Sequence, residues 1–361
     1  MLGPMLRIPA FRRALLGWYR RHRRDLPWRR TRDPYRILVS EIMLQQTQAV
    51  TVVPYYERFL KAFPTVQALA RARREKLMKL WEGLGYYARA RNLHEAARRI
   101  VRDCGGRVPR DPEVFSNLPG AGPYTTAAVL SIAYGAPLAA VDGNVRRVIA
   151  RLYDIGRPLA SDDREVRERA DRLLEDRHAG DFNQAMMELG ARICVPTNPA
   201  CLLCPVRPHC AAFAGGTVGR RPVTQARRAR PHKRVVAAVI RKNGKILIGL
   251  RPWDQGLLGG LWEFPGGKIE PGESPETAVR REMQEEIGAD VEAGPAVSTV
   301  DHVYTHLSIT LSGHFCRLKR GTPKPLFHAK LRWVRPCDLA RYAFPEANRK
   351  LIREMRERKL L

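Results

Sequence analysis

Apolar side chains recur at helical spacing through much of the first two hundred residues. The segments 35–63 and 125–135 follow this spacing, and 164–176 reads as an amphipathic helix with a charged outer face. Proline and glycine interrupt the pattern at Pro64, Pro109, Pro119, Gly120, Gly122 and Pro137. We therefore predict an all-α domain over residues 1–215.

A different pattern begins near residue 234. Residues 234–252 form two runs rich in β-branched side chains around Lys242-Asn243-Gly244, which is a hairpin signal. Two further strands are predicted over 306–318 and 331–336, and a helix over 275–287. This mixture predicts an α+β domain over residues 235–361.

The stretch 216–234 separates the two patterns and is basic, with no acidic residue. It predicts a linker that stays solvated, follows a nucleic-acid backbone, or does both. The whole chain has a net charge of +28, from 64 Lys and Arg against 36 Asp and Glu. Such an excess suits a polyanionic partner, although a basic surface alone would also produce it and says nothing about chemistry.

The chain has no apolar run near the roughly 18–20 residues that span a bilayer. Its first residues, MLGPMLRIPAFRRALL, lack the charged region and long apolar stretch of a secretory signal. We therefore expect a bacterial-type cytoplasmic protein without a membrane span, acting as a monomer.

Four of the seven cysteines crowd into a short segment, as Cys194-x6-Cys201-x2-Cys204-x5-Cys210. One tight cluster and an odd total suit a metal site in a reducing compartment better than a disulfide framework. Spacing alone leaves zinc, an iron–sulfur cluster and four free thiols open. The spacing resembles the iron–sulfur loop of the endonuclease III superfamily of DNA glycosylases, in particular adenine DNA glycosylases of the MutY type. That resemblance implies a [4Fe-4S] cluster, with a structural role, on these four cysteines.

LPGAGPYT (118–125) places two glycines before a predicted helix, where free backbone N–H groups favour a phosphate. With AVDGNVRRV (140–148) it resembles the helix-hairpin-helix and catalytic aspartate of the same superfamily. The resemblance implies DNA contacts at Leu118, Gly120 and Gly122, and a catalytic role for Asp142. An aspartate here would also be explained as a helix N-cap. Cleavage of an N-glycosidic bond builds positive charge on the sugar, which a carboxylate stabilises or traps covalently.

The second catalytic group should be an acid that protonates the leaving adenine. VSEIMLQQTQ (39–48) resembles the family segment that supplies it, which implies Glu41, and apolar neighbours should raise its pKa. Asn144 and Tyr124 match family residues that line the site. Bifunctional relatives have a lysine where this chain has Tyr124, so we expect base excision that leaves an abasic site, with at most weak strand cleavage. Glu41 and Asp142 together argue against a purely DNA-binding protein.

Flipping the target base out of the duplex requires side chains that fill the gap. The resemblance implies that Gln46 inserts into the duplex and that Tyr86, in GLGYYARARN, wedges beside 8-oxoguanine. A surface glutamine and a core tyrosine are the alternatives. It also implies an adenine pocket lined by Leu26, Trp28, Arg29 and Glu188. The expected substrate is double-stranded DNA containing adenine opposite 8-oxoguanine.

GGKIEPGESPETAVRREMQEEIGA (266–289) resembles a complete Nudix box, a signature of diphosphate-cleaving hydrolases. The family's C-terminal domain is related to Nudix hydrolases and reads 8-oxoguanine through a Phe-Ser-His loop. Here Tyr304, Thr305 and His306 stand in that place. The resemblance thus predicts a helix-hairpin-helix glycosylase domain followed by a Nudix-like α+β domain.

In a helix, three carboxylates of the box share one face and repel one another unless a divalent ion lies among them. The expected Mg²⁺ ligands are Glu273, Glu282, Glu285 and Glu286. Arg251 and Asn348 also match substrate-binding residues of the Nudix enzyme that hydrolyses 8-oxo-dGTP. The box looks eroded in most of these glycosylases but is whole here. Two alternatives stay open: a pyrophosphatase acting on 8-oxo-dGTP, and a silent domain that only grips DNA.

Overall fold

The computed structural model describes residues 7–160, 162–223, 230–305 and 307–361. The chain divides into two compact units. The first combines residues 1–71 with 92–227, and the second combines 72–91 with 228–361. Residues 72–91, from the N-terminal half of the chain, therefore belong to the second unit. A domain boundary drawn at one position in the sequence would not place them there.

The region up to residue 215 is helical, as the sequence predicts. Its helices are α1 (Ile8–His22), α2 (Pro34–Leu44), α3 (Ala49–Ala62), α4 (Val66–Ala70), α5 (Arg74–Trp81), α6 (Ala88–Asp103), α7 (Pro112–Ser116), α8 (Pro123–Tyr134), α9 (Gly143–Leu152), α10 (Arg164–Leu173), α11 (Ala179–Arg192) and α12 (Ala211–Ala214). Among these described helices, none is both long and apolar enough to cross a membrane, and the same holds for the two later ones.

The continuous helical pattern over 35–63 is broken in the structure. Helix α2 ends at Leu44 and α3 begins at Ala49. Between them Gln46 adopts a left-handed backbone with φ of 57°. The apolar spacing continues across this turn, so the pattern alone does not reveal the break.

One core of the first unit lies where α1, α9, α10 and α11 meet. Phe11, Ile149, Leu173 and Phe182 are buried together there. Helix α8 is buried on most sides rather than on one face, because most of its side chains are buried. The catalytic candidates therefore lie on helices that packing holds in place.

The second unit contains a mixed sheet and two further helices. Its elements are β1 (His232–Lys242), β2 (Lys245–Leu250), β3 (Trp262–Glu263), α13 (Pro275–Ile287), β4 (Asp290–Val303), β5 (Ser308–Arg320), β6 (Lys330–Val334) and α14 (Glu346–Glu357). The sheet order is β3-β2-β1-β5-β4, with β6 also paired to β2. Strands β1 and β5 are parallel, and the other pairs are antiparallel.

Successive side chains of β1 point to opposite faces of the sheet, and both faces are buried. Val239 packs into a core with Leu351 of α14, whereas Ala238 packs into a core with Met283 of α13. The predicted turn between β1 and β2 is present, with φ of 49° at Asn243 and 68° at Gly244. The predicted fold class, an all-α region followed by an α+β region, is confirmed.

Candidate active site

Asp142 is the N-cap of α9, so both sequence interpretations of this residue can hold at once. Its Oδ1 accepts a hydrogen bond from the Val145 N–H at 2.7 Å. Its Oδ2 accepts one from Asn144 Nδ2 at 2.8 Å. Burial raises the pKa of Asp142, while these donors and the charge of Arg147 lower it. Burial is the larger effect, so the pKa of Asp142 is raised, and the cap fixes the orientation of the carboxylate.

Asn144 is in turn held by an arginine that the sequence did not single out. Arg147 Nη2 donates to Asn144 Oδ1 at 2.8 Å, and its Nε donates to the Cys194 carbonyl at 2.7 Å. Nη2 also donates to the Gly190 carbonyl at 2.7 Å. Arg147 therefore ties the site of Asp142 to the start of the cysteine loop.

Glu41 lies inside α2 and is almost fully buried. The Tyr124 hydroxyl, from the first turn of α8, donates a hydrogen bond to Glu41 Oε2 at 2.7 Å. Burial raises the pKa of Glu41 to about 7, and the negative charge of Asp142 adds to the rise. The hydrogen bond from Tyr124 and the charge of Arg29 oppose it. Glu41 can therefore carry a proton near neutral pH.

The four predicted adenine-pocket residues all lie in the first unit, and two of them are bonded to each other. Leu26 and Trp28 are buried. Glu188 is fully buried and accepts hydrogen bonds from Arg29 at 2.7 Å and from Arg24 at 2.8 Å. Burial acts to raise the pKa of Glu188, but the two arginines overcome it and lower the pKa to about 2. Glu188 is thus a permanently charged partner of arginines and unsuited to proton transfer.

The glycine-rich turn has the open backbone that the sequence predicts. Gly120 is left-handed, with φ of 82°, and a Cβ there would lie 3.1 Å from Asn92 Cβ. Gly122 is the N-cap of α8, and a Cβ there would meet nothing within 4 Å. Leu118 is buried beneath the turn, and Gln46 is exposed in the turn between α2 and α3. Free N–H groups at the start of α8 are suited to a phosphate.

All four clustered cysteines line one pocket. They share it with Arg151, Ile193, Arg207, Phe213 and Val218. Arg151 is buried and holds the loop that follows Cys194, because it donates to the carbonyls of Val195 at 2.7 Å and Pro196 at 2.9 Å. The fold therefore collects the predicted ligands around a single space.

In the second unit, the recognition residues meet across a long sequence separation. Tyr304 and Thr305 follow β4, and the Tyr304 N–H donates to the Leu307 carbonyl at 2.8 Å. Thr305 Oγ1 and the Tyr86 hydroxyl share a hydrogen bond of 2.5 Å. The Tyr304 ring packs edge-on against His302, with ring centroids 4.4 Å apart. His306 lies outside the described residues.

Three of the four predicted Mg²⁺ ligands surround Arg281. Its guanidinium donates to Glu273 at 3.0 Å, to Glu282 at 3.0 Å and to Glu285 at 3.3 Å. Gly267 allows this arrangement, because a Cβ there would lie 2.1 Å from a Glu282 oxygen. Arg281 therefore offsets the repulsion among these carboxylates.

The fourth, Glu286, is also part of a buried group with Glu263 and His328. Its Oε2 accepts the Gly266 N–H at 2.9 Å and lies 4.0 Å from His328 Nε2. His328 Nε2 is also 3.2 Å from Glu263 Oε1, and the ligand atoms of Glu263, Glu286 and His328 all lie within 4.8 Å of one another. Burial, with the charge of Glu263, raises the pKa of Glu286 to about 8. Sequence reasoning missed Glu263 and His328, which come from β3 and from the segment before β6.

The two residues matched to nucleotide binding lie near this group. Arg251 Nη1 donates to both oxygens of Glu263, at 2.8 and 3.1 Å. Asn348 Oδ1 accepts the Phe264 N–H at 3.1 Å. Both side chains are thus engaged with β3 and the residue after it.

Comparison with known proteins finds two family models and several relatives that match this chain. A family model described as HhH-GPD superfamily base excision DNA repair protein matches residues 39–176, and a NUDIX domain model matches residues 235–354. The adenine DNA glycosylase of Rattus norvegicus is 35% identical, across 97% of this chain and 78% of the rat protein. That of Mycolicibacterium smegmatis is 42% identical, across 57% of this chain and 72% of its own. A solved thermostable thymine-DNA glycosylase is 35% identical, with a TM-score of 0.54 over 58% of this chain and 97% of that chain.

Proposed function

Because the chain belongs to the adenine DNA glycosylase family, we propose that it removes adenine paired with 8-oxoguanine in double-stranded DNA. The reaction hydrolyses the N-glycosidic bond and leaves an abasic site. The observation that carries this proposal is the pairing of a buried Glu41, with a pKa of about 7, and an N-capping Asp142 in one unit.

The two carboxyl groups suit complementary roles. Protonated Glu41 gives its proton to the departing adenine as the bond to the sugar breaks. Positive charge then develops on the deoxyribose, and ionised Asp142 stabilises it. Water supplies the new bond to the sugar carbon and releases a proton. Division of labour between two carboxyl groups is a general solution for glycosidic cleavage.

Tyr124 supports a reaction without strand cleavage. A Schiff base with the sugar requires an amine, and the side chain bonded to Glu41 at this position is a phenol. Burial raises the pKa of Tyr124 well above its ordinary value, so the phenol keeps its proton and serves as a donor. The expected product is therefore an intact strand that contains an abasic site.

The cysteine pocket fits an iron–sulfur cluster better than a single zinc ion. Thiolates that bind one zinc lie about 2.3 Å from it, so their sulfurs crowd within roughly 4 Å of each other. Among the described residues, the three ligand atoms that all lie within 4.8 Å of one another belong to Glu263, Glu286 and His328, and no three of the cysteine sulfurs form such a group. Cys194, Cys201, Cys204 and Cys210 would hold a [4Fe-4S] cluster. When bound, the cluster would cross-link the loop that Arg147 and Arg151 anchor.

Recognition of the lesion is assigned to Gln46 in the first unit and to Tyr86, Tyr304 and Thr305 in the second. Gln46 and Tyr86 both have left-handed backbones, with φ of 57° and 48°, and both side chains are exposed. Exposed polar or aromatic side chains held on tight turns are suited to enter a duplex. The Tyr86–Thr305 hydrogen bond brings two of these residues together.

Three matched duplexes test the proposal. Single-turnover adenine release is measured with adenine opposite 8-oxoguanine, guanine or thymine, and each product is analysed before and after alkali. We expect fastest release opposite 8-oxoguanine and strand breaks only after alkali. Equal release from all three duplexes would refute the lesion preference, and breaks without alkali would refute the role of Tyr124.

A second candidate activity is Mg²⁺-dependent hydrolysis of 8-oxo-dGTP. The observation that favours it is the buried group of Glu263, Glu286 and His328 beside an intact box. Oxygen ligands suit Mg²⁺ and its phosphate substrates, although the imidazole also suits other divalent ions. The test is diphosphate release from 8-oxo-dGTP with Mg²⁺ or Mn²⁺, in the wild type and in Glu286→Gln. Activity that Glu286→Gln abolishes would support it, and absent or unchanged activity would refute it.

A further inference from the structure

Tyr86 is held in an unusual backbone conformation. It ends a turn in which Gly83, Gly85 and Tyr86 all have positive φ, of 98°, 70° and 48°. Glycine tolerates this region, but a tyrosine there is strained and persists only where its surroundings hold it. The phenol end of Tyr86 is held by Thr305 Oγ1.

Arg89 holds the same turn from the other side. Its side chain is buried, with 7% of the residue exposed, and its Nη2 donates to the carbonyls of Leu84 at 3.2 Å and Gly85 at 3.3 Å. The Arg89 N–H also donates to the Tyr86 carbonyl at 2.9 Å. Side chain and backbone of one residue thus fix three successive positions of the turn.

The Arg89 guanidinium also lies over two aromatic rings. Its central carbon is 5.2 Å from the Tyr86 ring centroid and 5.6 Å from that of Trp81. Trp81 is fully buried at the end of α5. The guanidinium therefore contacts both the partly exposed Tyr86 ring and a fully buried tryptophan.

A charged side chain such as Arg89 is energetically unfavourable at a buried position. Burial lowers the pKa of Arg89 to about 10, which shows that the surroundings disfavour its charge. An apolar side chain would cover Trp81 without that cost. It could not donate to the turn carbonyls or attract both rings, and these are the contacts that orient Tyr86.

We propose that Arg89 is a positioning residue for Tyr86, and that it thereby sets how strongly the enzyme prefers adenine opposite 8-oxoguanine over adenine opposite guanine. This inference rests on the proposed role of Tyr86 as the wedge beside the lesion. Arg89 touches no base itself. It acts by keeping the left-handed turn and the ring in the orientation that meets the lesion.

The test is a double-mutant cycle between Arg89→Met and Tyr86→Ala, read as the ratio of single-turnover rates on the two duplexes. Methionine keeps the apolar packing and removes the charge and the donors. We expect Arg89→Met to lower the ratio about tenfold, equivalent to roughly 1.4 kcal/mol. In the Tyr86→Ala background it should change the ratio by less than about twofold. Arg89→Lys, which keeps the charge, should recover part of the preference, and it serves as the test variant if Arg89→Met does not fold.

The outcomes separate this inference from the proposed function. If Tyr86→Ala leaves the ratio unchanged, the wedge role fails and the inference falls with it. If Tyr86→Ala lowers the ratio but Arg89→Met and Arg89→Lys do not, only the inference is overturned. If Arg89 had only a structural role, Arg89→Met would slow adenine release from both duplexes equally and lower the melting temperature of the protein. It would also have the same effect in the Tyr86→Ala background. That result would overturn the inference as well.

Discussion

The hydroxyl of Tyr124 donates to the buried carboxyl of Glu41 over 2.7 Å. The two residues are far apart in sequence, and they meet because α8 packs against α2 in the first unit. Burial raises the pKa of Glu41 to about 7, and this hydrogen bond limits the rise. The contact therefore sets the pH range in which Glu41 can act as an acid.

Adenine release should decline as the pH rises through about 7, because Glu41 must be protonated to act. Tyr124→Phe removes the hydrogen bond that lowers the pKa of Glu41, so the basic limb should move to higher pH. The measurement is a single-turnover pH–rate profile, with Glu41→Gln as an inactive reference. A basic limb that stays in place or moves to lower pH in Tyr124→Phe would contradict this assignment.

Arg147→Met should slow adenine release by roughly 10- to 100-fold, because hydrogen bonds to a charged group contribute about 1.5–3 kcal/mol. The loss frees Asn144 and the Cys194 carbonyl from the same guanidinium. The matched control is Arg146→Met, since Arg146 donates to the Ala160 carbonyl instead. Iron and sulfide content, measured in both variants, separates a misoriented Asn144 from a lost cluster. Equal rates of adenine release in Arg147→Met and Arg146→Met would contradict the role of Arg147 in positioning Asn144.

Glu188→Gln should lower the free energy of unfolding by about 3 kcal/mol, since it removes the fully buried carboxylate that pairs with Arg24 and Arg29. The pKa of Glu188 is depressed from 4.5 to about 2. Its stabilising contribution is therefore present above the unfolded pKa and is lost as the pH falls toward 2. Urea denaturation should show the gap between wild type and variant closing over that range. Glu168→Gln, which breaks an exposed pair with Arg164, should cost less than about 1 kcal/mol.

Gly190→Ala should impair adenine release and lower the melting temperature. A Cβ at Gly190 would lie 2.7 Å from Asn144 Cβ and 3.1 Å from its backbone, so α9 and α11 would have to separate beside Asp142. Gly17→Ala, inside α1, is the control, because its new Cβ meets only side-chain atoms of Arg21 at 3.7 Å or beyond. Wild-type activity in Gly190→Ala would contradict the close packing of the site.

The sequence predicted those helices and strands whose ends are marked by residues within the element or next to it. The helix predicted over 275–287 is Pro275–Ile287, because Ser274 caps its start and Gly288, with φ of 61°, ends it. Strand β4 was not predicted. Gly294-Pro295 interrupts its alternation, and its pairing with β5 shifts register around these residues. The break at Gln46 was also missed, because no glycine or proline marks it.

For the site, the sequence indicated residues that belong to recognisable motifs, such as Asp142 and the four cysteines. It did not indicate Arg147, which bonds to the distant Cys194 carbonyl, or Glu263 and His328, which lie far apart in the chain. It also expected Glu273, Glu282, Glu285 and Glu286 to share one ion. In the structure Arg281 contacts the first three, and Glu286 lies with Glu263 and His328, while the shared ion stays a prediction. Helical spacing places side chains on a face, but it does not show which of them are engaged by another residue.

The most direct measurement compares wild type with Asp142→Asn on a duplex that contains adenine opposite 8-oxoguanine. Asparagine keeps the size and the capping oxygen of Asp142 but cannot stabilise positive charge on the sugar. The account predicts that the variant binds the duplex with nearly unchanged affinity and releases no adenine in single-turnover conditions. Adenine release at the wild-type rate by Asp142→Asn would contradict it.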